Sequence, residues 1–172
     1  MSAASAEQFR RIFEENYRYV WASLRRLGVH ERDLEDLTHD VFLQVHRKLA
    51  SYDPDRPARA WLFGFALRLA SDYRKRARHR TPLGHDDGED KTASPIDEML
   101  DIKGRAELLR VALDRLSLDL RAVLILHDID ETPMKEIAAA LEIPLNTGYS
   151  RLRVAREHCA ATVAKLTRKV PR

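Results

Sequence analysis

Apolar residues recurring three and four apart, in nearly every long segment, commit this chain to helices. From Glu7 to Leu27 they are Phe9, Ile12, Phe13, Tyr17, Val20, Trp21 and Leu24, one face of a helix of 3.6-residue period. Gly28 is a natural stop. Asp33 is placed to cap a second helix with the stripe Leu34, Leu37, Val41, Val45 and Leu49. The segment Ser51-Tyr-Asp-Pro-Asp-Arg-Pro57 interrupts the pattern twice, because proline lacks the amide donor and restrains the residue before it. A third helix then carries Trp61, Phe65, Leu69 and Tyr73.

The pattern lapses from Thr81 to about Ala93, where two glycines, a proline and acidic or small side chains offer little apolar surface to offset the entropy of ordering. This stretch reads as a flexible acidic linker, which divides the chain into residues 1–80, a linker over 81–94, and residues 95–172. Ser94-Pro95 resembles a helix start, opening a segment with Ile96, Met99, Leu100, Leu108, Leu109 and Leu113. Ser117 is expected to open another, through Val123, Leu124 and Leu126. Thr132-Pro133 repeats the cap-plus-proline start before Ile137, Ala138 and Leu141. Glu142-Ile143-Pro144-Leu145 makes a turn, and a longer helix opens near Asn146 with Gly148, Leu152, Ala155, Cys159 and Val163 facing inward. A short helix, a tight turn and a longer helix with basic residues outside is the layout of a helix-turn-helix. The expected fold is therefore all-α, with two small helical domains joined by the linker.

A net charge of +3 says little about partners, but its distribution says more. Arg68, Arg74, Lys75, Arg76, Arg78 and Arg80 crowd the end of the third helix, and Arg151, Arg153, Arg156, Lys165, Arg168, Lys169 and Arg172 crowd the last. One or two cations suit a helix C-terminus, and six exceed that need. Aromatic rings beside arginines can stack unpaired bases and hold a strand backbone. Trp61, Phe65 and Tyr73 share one apolar stripe and are expected mainly in the core, whereas Phe63 lies off it and is the better platform. On the last helix, Thr147, Ser150 and Arg151 face outward with Arg153 flanking, within reach of phosphates and base edges. Basic helix faces are usually only solvated; the preceding helix and turn tip the reading toward DNA.

Other chemistries find no support. Asp36, His39 and Asp40 share a helix face, but no second cluster supplies the remaining ligands of a metal site. Cys159, the single cysteine, reads as a small core residue. There is no phosphate loop or nucleophile elbow, so neither catalysis nor a cofactor is expected. No apolar run reaches bilayer length and no signal peptide precedes the first helix, so a cytoplasmic protein without membrane insertion is expected.

Two sets of residues resemble a known family. Asp33-Leu-Glu-Asp-Leu-Thr-His-Asp-Val-Phe-Leu-Gln-Val-His-Arg-Lys-Leu49, Ala60-Trp-Leu-Phe-Gly-Phe-Ala66 and Asp72-Tyr-Arg-Lys-Arg76 resemble region 2 of the extracytoplasmic-function (ECF) sigma factors of bacterial RNA polymerase. Leu113-Asp-Arg-Leu116, Arg121-Ala-Val-Leu-Ile-Leu126, Glu136-Ile-Ala138 and Ser150-Arg-Leu152 resemble their region 4. The resemblance implies a transcription initiation factor that binds core RNA polymerase and promoter DNA and is held in check by an anti-sigma factor. It assigns polymerase docking to Asp36, His39, Asp40 and Phe42. Recognition of the separated minus-ten strand falls to the loop Ser51 to Pro57 and to Phe63, Arg68, Tyr73, Arg74, Lys75 and Arg76. Asn146, Thr147, Tyr149, Ser150, Arg151 and Arg153 are assigned to the minus-thirty-five duplex.

The chain also departs from the family pattern. His39 stands where many relatives carry Gln, and Arg68 where many have Asn. Glu142 replaces a turn glycine and is expected to tolerate a left-handed backbone at a cost of about 1 kcal/mol. Gly148 replaces an apolar residue, which predicts weaker helix propensity and packing. Tyr149 and Val154 stand where basic residues are frequent.

Overall fold

The computed structural model describes residues 3–80 and 102–168, with side chains over 5–77 and 104–167. Ser94-Pro95 and the apolar residues Ile96, Met99 and Leu100 lie outside the described residues, as does the 81–94 linker. All regular structure among the described residues is helical, in two bundles.

The first bundle comprises α1 (Ala3–Arg26), α2 (Leu34–Lys48) and α3 (Ala58–Arg80), each packed on the other two. Val20, Leu24, Leu27, Leu34, Val41, Val45 and Leu62 are inaccessible at its centre. Buried polar side chains turn back on their own helices: Asn16 donates to the Ile12 carbonyl at 2.9 Å and Thr38 to that of Leu34 at 2.6 Å. Such i−4 bonds satisfy a polar atom where no water reaches it.

Asp33 does not act as the predicted cap. It ends a 3-10 turn over Glu31–Asp33 and makes no capping bond; its carboxylate accepts a 2.7 Å hydrogen bond from the Tyr73 hydroxyl of α3. A tertiary partner has displaced the local one.

The second bundle comprises α4 (Ile102–Asp114), α5 (Leu118–Leu124), α6 (Met134–Ala140) and α7 (Leu145–Arg168). The long α7 packs against α4, α5 and α6 through the predicted inward stripe, with Gly148, Leu152 and Ala155 buried. After α5 the chain widens into a π turn over Ile125–Ile129. The turn closes with Asp130 N–H donating to the Ile125 carbonyl at 2.9 Å, then Thr132 N–H to that of Leu126 at 2.8 Å, with Glu131 left-handed at φ 53°. Proline 133 sits at the N-cap of α6, one position before the expected one.

Glu142 adopts the predicted left-handed backbone, at φ 55°. Gly148 has a reason beyond tolerance: a Cβ there would lie 2.6 Å from the Met134 sulfur. The glycine lets α6 and α7 approach closely, so the expectation of weaker packing is corrected. The two bundles themselves touch, α3 lying against α6.

Candidate nucleic-acid interface

Three surfaces carry the residues singled out from the sequence. On α2, Asp36, His39 and Asp40 are exposed on one face, and one turn on Leu43 is 57% exposed, unusual for a leucine. Phe42 points the other way. It is 2% exposed, its ring 4.7 Å from Phe13 and stacked at 6.2 Å on Tyr17. It braces α2 against α1 and leaves the two carboxylates, His39 and Leu43 facing solvent.

The second surface is a cavity of about 600 Å³ beside the loop 51–57. The rings of Tyr52 and Trp61 stand 4.9 Å apart, Phe65 meets Trp61 edge-on at 5.0 Å, and the Arg68 guanidinium lies 4.8 Å from the Phe65 centroid. Phe65, 6% exposed, is a core residue as expected and backs this row. The accessible π faces are those of Tyr52 and Trp61 beside the Arg68 cation, a composition that suits an unstacked base and its phosphate. The loop is ordered by its own bonds: Asp55 N–H donates to the Asp53 carboxylate at 3.1 Å and Tyr52 hydroxyl to the Arg56 carbonyl at 3.3 Å.

Phe63 is not the platform. It is wholly buried, because α1, α2 and α6 all contact α3 and leave it no single apolar stripe. Trp61, expected in the core, is half-exposed and lines the cavity. Tyr52 was read from the sequence only as part of the loop Ser51 to Pro57 and was not singled out; its place in that proline-bounded loop, nine residues ahead of Trp61, was the available signal. Tyr73 is committed elsewhere: burial first, then its bond to Asp33, raises its hydroxyl pKa, while that bond holds the Asp33 carboxyl low. Of the basic run, Lys75 and Arg76 are exposed and Arg74 is half-buried. Lys75 lies 3.7 Å from the Asp72 carboxylate, and Arg76 donates to the Asp72 carbonyl at 3.3 Å. The side chains of Arg78 and Arg80 lie outside the described residues.

The third surface is the head of α7. Asn146, Tyr149, Ser150 and Arg153 are exposed, and Thr147 and Arg151 are half-buried. Each arginine here has an acidic neighbour: Arg151 meets Asp119 of α5 at 3.0 Å and Arg153 meets Glu157 at 2.7 Å. Arg156 grips Asp128 in the π turn with bonds of 2.9 and 2.6 Å. That fork, with His127 alongside at 2.7 Å, holds the Asp128 carboxyl below its usual range. Leu145 and Tyr149, one turn apart, are 45% and 54% exposed and give this head an apolar ridge between its polar groups.

Among the described residues no group of three or more His, Cys, Asp or Glu side chains could hold a metal, and no helix is long and apolar enough to cross a membrane.

Comparison with known proteins bears on both bundles. Residues 12–80 match the family model of sigma-70 region 2, and residues 106–159 that of sigma-70 region 4. The RNA polymerase sigma factor CnrH of Cupriavidus metallidurans is 33% identical over 146 residues, covering 80% of this chain and 76% of the relative. The ECF sigma-E factor of Escherichia coli is 27% identical over 164 residues, covering 89% and 85%. SigE of Mycolicibacterium smegmatis is 32% identical over 150 residues, which span 85% of this chain and 58% of that one. The fold is shared with CnrH in complex with the cytosolic domain of CnrY, at TM-score 0.67, 24% identity and coverage of 93% and 90%. It is shared also with RpoE in complex with the anti-sigma factor NepR from Bartonella quintana, at TM-score 0.69, 22% identity and coverage of 92% and 98%.

Proposed function

Because this chain belongs to the ECF sigma factors of RNA polymerase, we propose that it binds core polymerase, carries it to specific promoters and aids their opening. The observation that carries this reading is the presence of both sigma regions, in order, each keeping a solvent-facing surface of the appropriate chemistry. Residues 1–80 form region 2, 81–94 the linker and 95–172 region 4. The carboxylates of Asp36 and Asp40, with His39 and Leu43, form the polymerase-docking face, and Phe42 supports it from behind. Tyr52, Trp61 and Arg68, with Phe65 supporting them from the core, receive the separated minus-ten strand, while Arg74, Lys75 and Arg76 hold its backbone. Opening the duplex exposes base edges, and a pocket that stacks an extruded base offsets its unstacking. The head of α7, from Asn146 to Arg153, reads the minus-thirty-five duplex.

The role is one of binding rather than turnover, exercised in the cytoplasm. An anti-sigma protein is the expected regulator, since the similarly folded RpoE is seen with NepR. Association with core polymerase tests the docking face: on gel filtration the wild-type chain should co-elute with core, and Asp36→Lys/Asp40→Lys should not. Co-elution of both proteins would remove the docking assignment, and co-elution of neither would remove the function.

A further inference from the structure

The head of α7 carries more apolar surface than the end of a solvated helix needs. Four large hydrophobic side chains are exposed among the described residues, and two of them, Leu145 and Tyr149, adjoin on successive turns of this one helix. We propose that Leu145 and Tyr149 read the C5-methyl group of thymine in the minus-thirty-five element, so that this chain selects its promoters there by an apolar contact. The contact presupposes the minus-thirty-five assignment above and names the base chemistry it uses.

The packing of α7 fixes where the pair points. Gly148, Leu152 and Ala155 are buried, and Gly148 seats α7 on α6, since a Cβ there would lie 2.6 Å from the Met134 sulfur. An α-helix turns by about 100° per residue, so Tyr149 is carried away from Met134. It stands beside Asn146, three residues back, and Arg153, four residues on, with Leu145 one turn before it on the same side. Asn146, Ser150 and Arg153 are exposed with them. The ridge therefore borders the polar outer face of the helix, and its side chains are not part of the core. Tyr149 makes no hydrogen bond and no ring contact among the described residues.

Single exposed apolar residues are ordinary on a protein surface. A paired ridge on the first turns of the second helix of a helix-turn-helix is different, because those turns enter the major groove. The edges of the bases there are hydrogen-bonding groups, and the apolar projection among them is the thymine methyl. Apolar surface that leaves water on both sides of such a contact stabilises it. The arginines of the same face are less free. Arg151 meets Asp119 at 3.0 Å and Arg153 meets Glu157 at 2.7 Å, so a guanine contact from either exchanges one partner for another. Leu145 and Tyr149 give up only water. Asn146 beside them offers the side-chain amide that pairs with adenine, so this turn as a whole favours A·T pairs.

Competition binding by holoenzyme, formed from the full chain and core polymerase, tests this on a promoter from which that holoenzyme initiates. Each thymine of the minus-thirty-five element, on either strand, is replaced in turn by deoxyuridine, which removes the methyl group and nothing else. At one or two positions the wild type should bind the uracil promoter about 4-fold more weakly, the factor that burying one methyl group contributes. Tyr149→Ala should bind the thymine and uracil promoters alike at such a position, and Leu145→Ala should narrow the preference. Tyr149→Phe, which keeps the ring, should retain it. Loss of a merely structural tyrosine lowers both affinities by the same factor and leaves the preference intact. A minus-thirty-five element without thymine, a wild type indifferent to uracil at every position, or a Tyr149→Ala protein that keeps the full preference would each overturn the thymine contact while leaving the sigma function standing. Failure of the holoenzyme to initiate on any promoter would remove that function and the contact with it.

Discussion

At the scale of single residues, burial and backbone geometry decide what helical period alone cannot. Gly28 is an instance: it ends α1 at φ 91°, and a Cβ there would also stand 2.9 Å from the Arg121 guanidinium. Gly28→Ala should therefore cost about 1–2 kcal/mol from the left-handed backbone alone, read as a lower urea midpoint. An unchanged midpoint would mean the turn can rearrange. The sequence marked Gly28 as a stop by a local rule, and the family resemblance, in which Glu142 replaces a turn glycine, anticipated the left-handed backbone there. Periodicity misplaced Phe63 and Trp61, because exposure along α3 depends on which neighbours pack around it. A local rule likewise led to the expectation that the Asp33 carboxylate caps α2, whereas that carboxylate accepts a bond from Tyr73, forty residues later.

At the scale of elements, the seven α-helices of the described residues were largely legible in the spacing of apolar residues, while the π turn after α5 was not. Nothing in the local sequence announces a widened turn; it is held by Asp128, which Arg156 of α7 grips from 28 residues away. The Asp128 carboxyl titrates below its ordinary 3.8, first through the Arg156 bond and next, against the desolvation that opposes it, through His127. Its stabilising effect is thus complete above that ordinary value and is lost as pH falls through the lower value of the folded protein. Thermal melts from pH 7 down to pH 2.5 should show acid loss of stability that is smaller in Asp128→Asn; equal losses would locate the acid sensitivity elsewhere. On the face of α7, Arg151→Ala should weaken binding to a cognate promoter by about 1–3 kcal/mol and relax sequence preference, provided the guanidinium leaves Asp119 for a base. Arg76→Ala should lower affinity evenly across sequences, as loss of a phosphate contact does. Competition binding on matched and mismatched promoters distinguishes them, and equal losses from both variants would contradict the division of roles.

At the scale of the whole molecule, the two sigma regions were readable from motifs in each half, and their contact was not. Docking of the second bundle on the first joins residues more than seventy positions apart, through a glycine of α3 against a carbonyl of α6 and a part-buried bond from Tyr19 of α1 to Asp130, none of which periodicity encodes. What the molecule as a whole does is tested most directly by run-off transcription with purified core RNA polymerase on a library of randomised promoters. Sequence-specific start sites that appear only when this protein is added, and that share an element near minus ten and another near minus thirty-five, are the predicted result. Polymerase that binds the protein yet initiates nowhere new would contradict it.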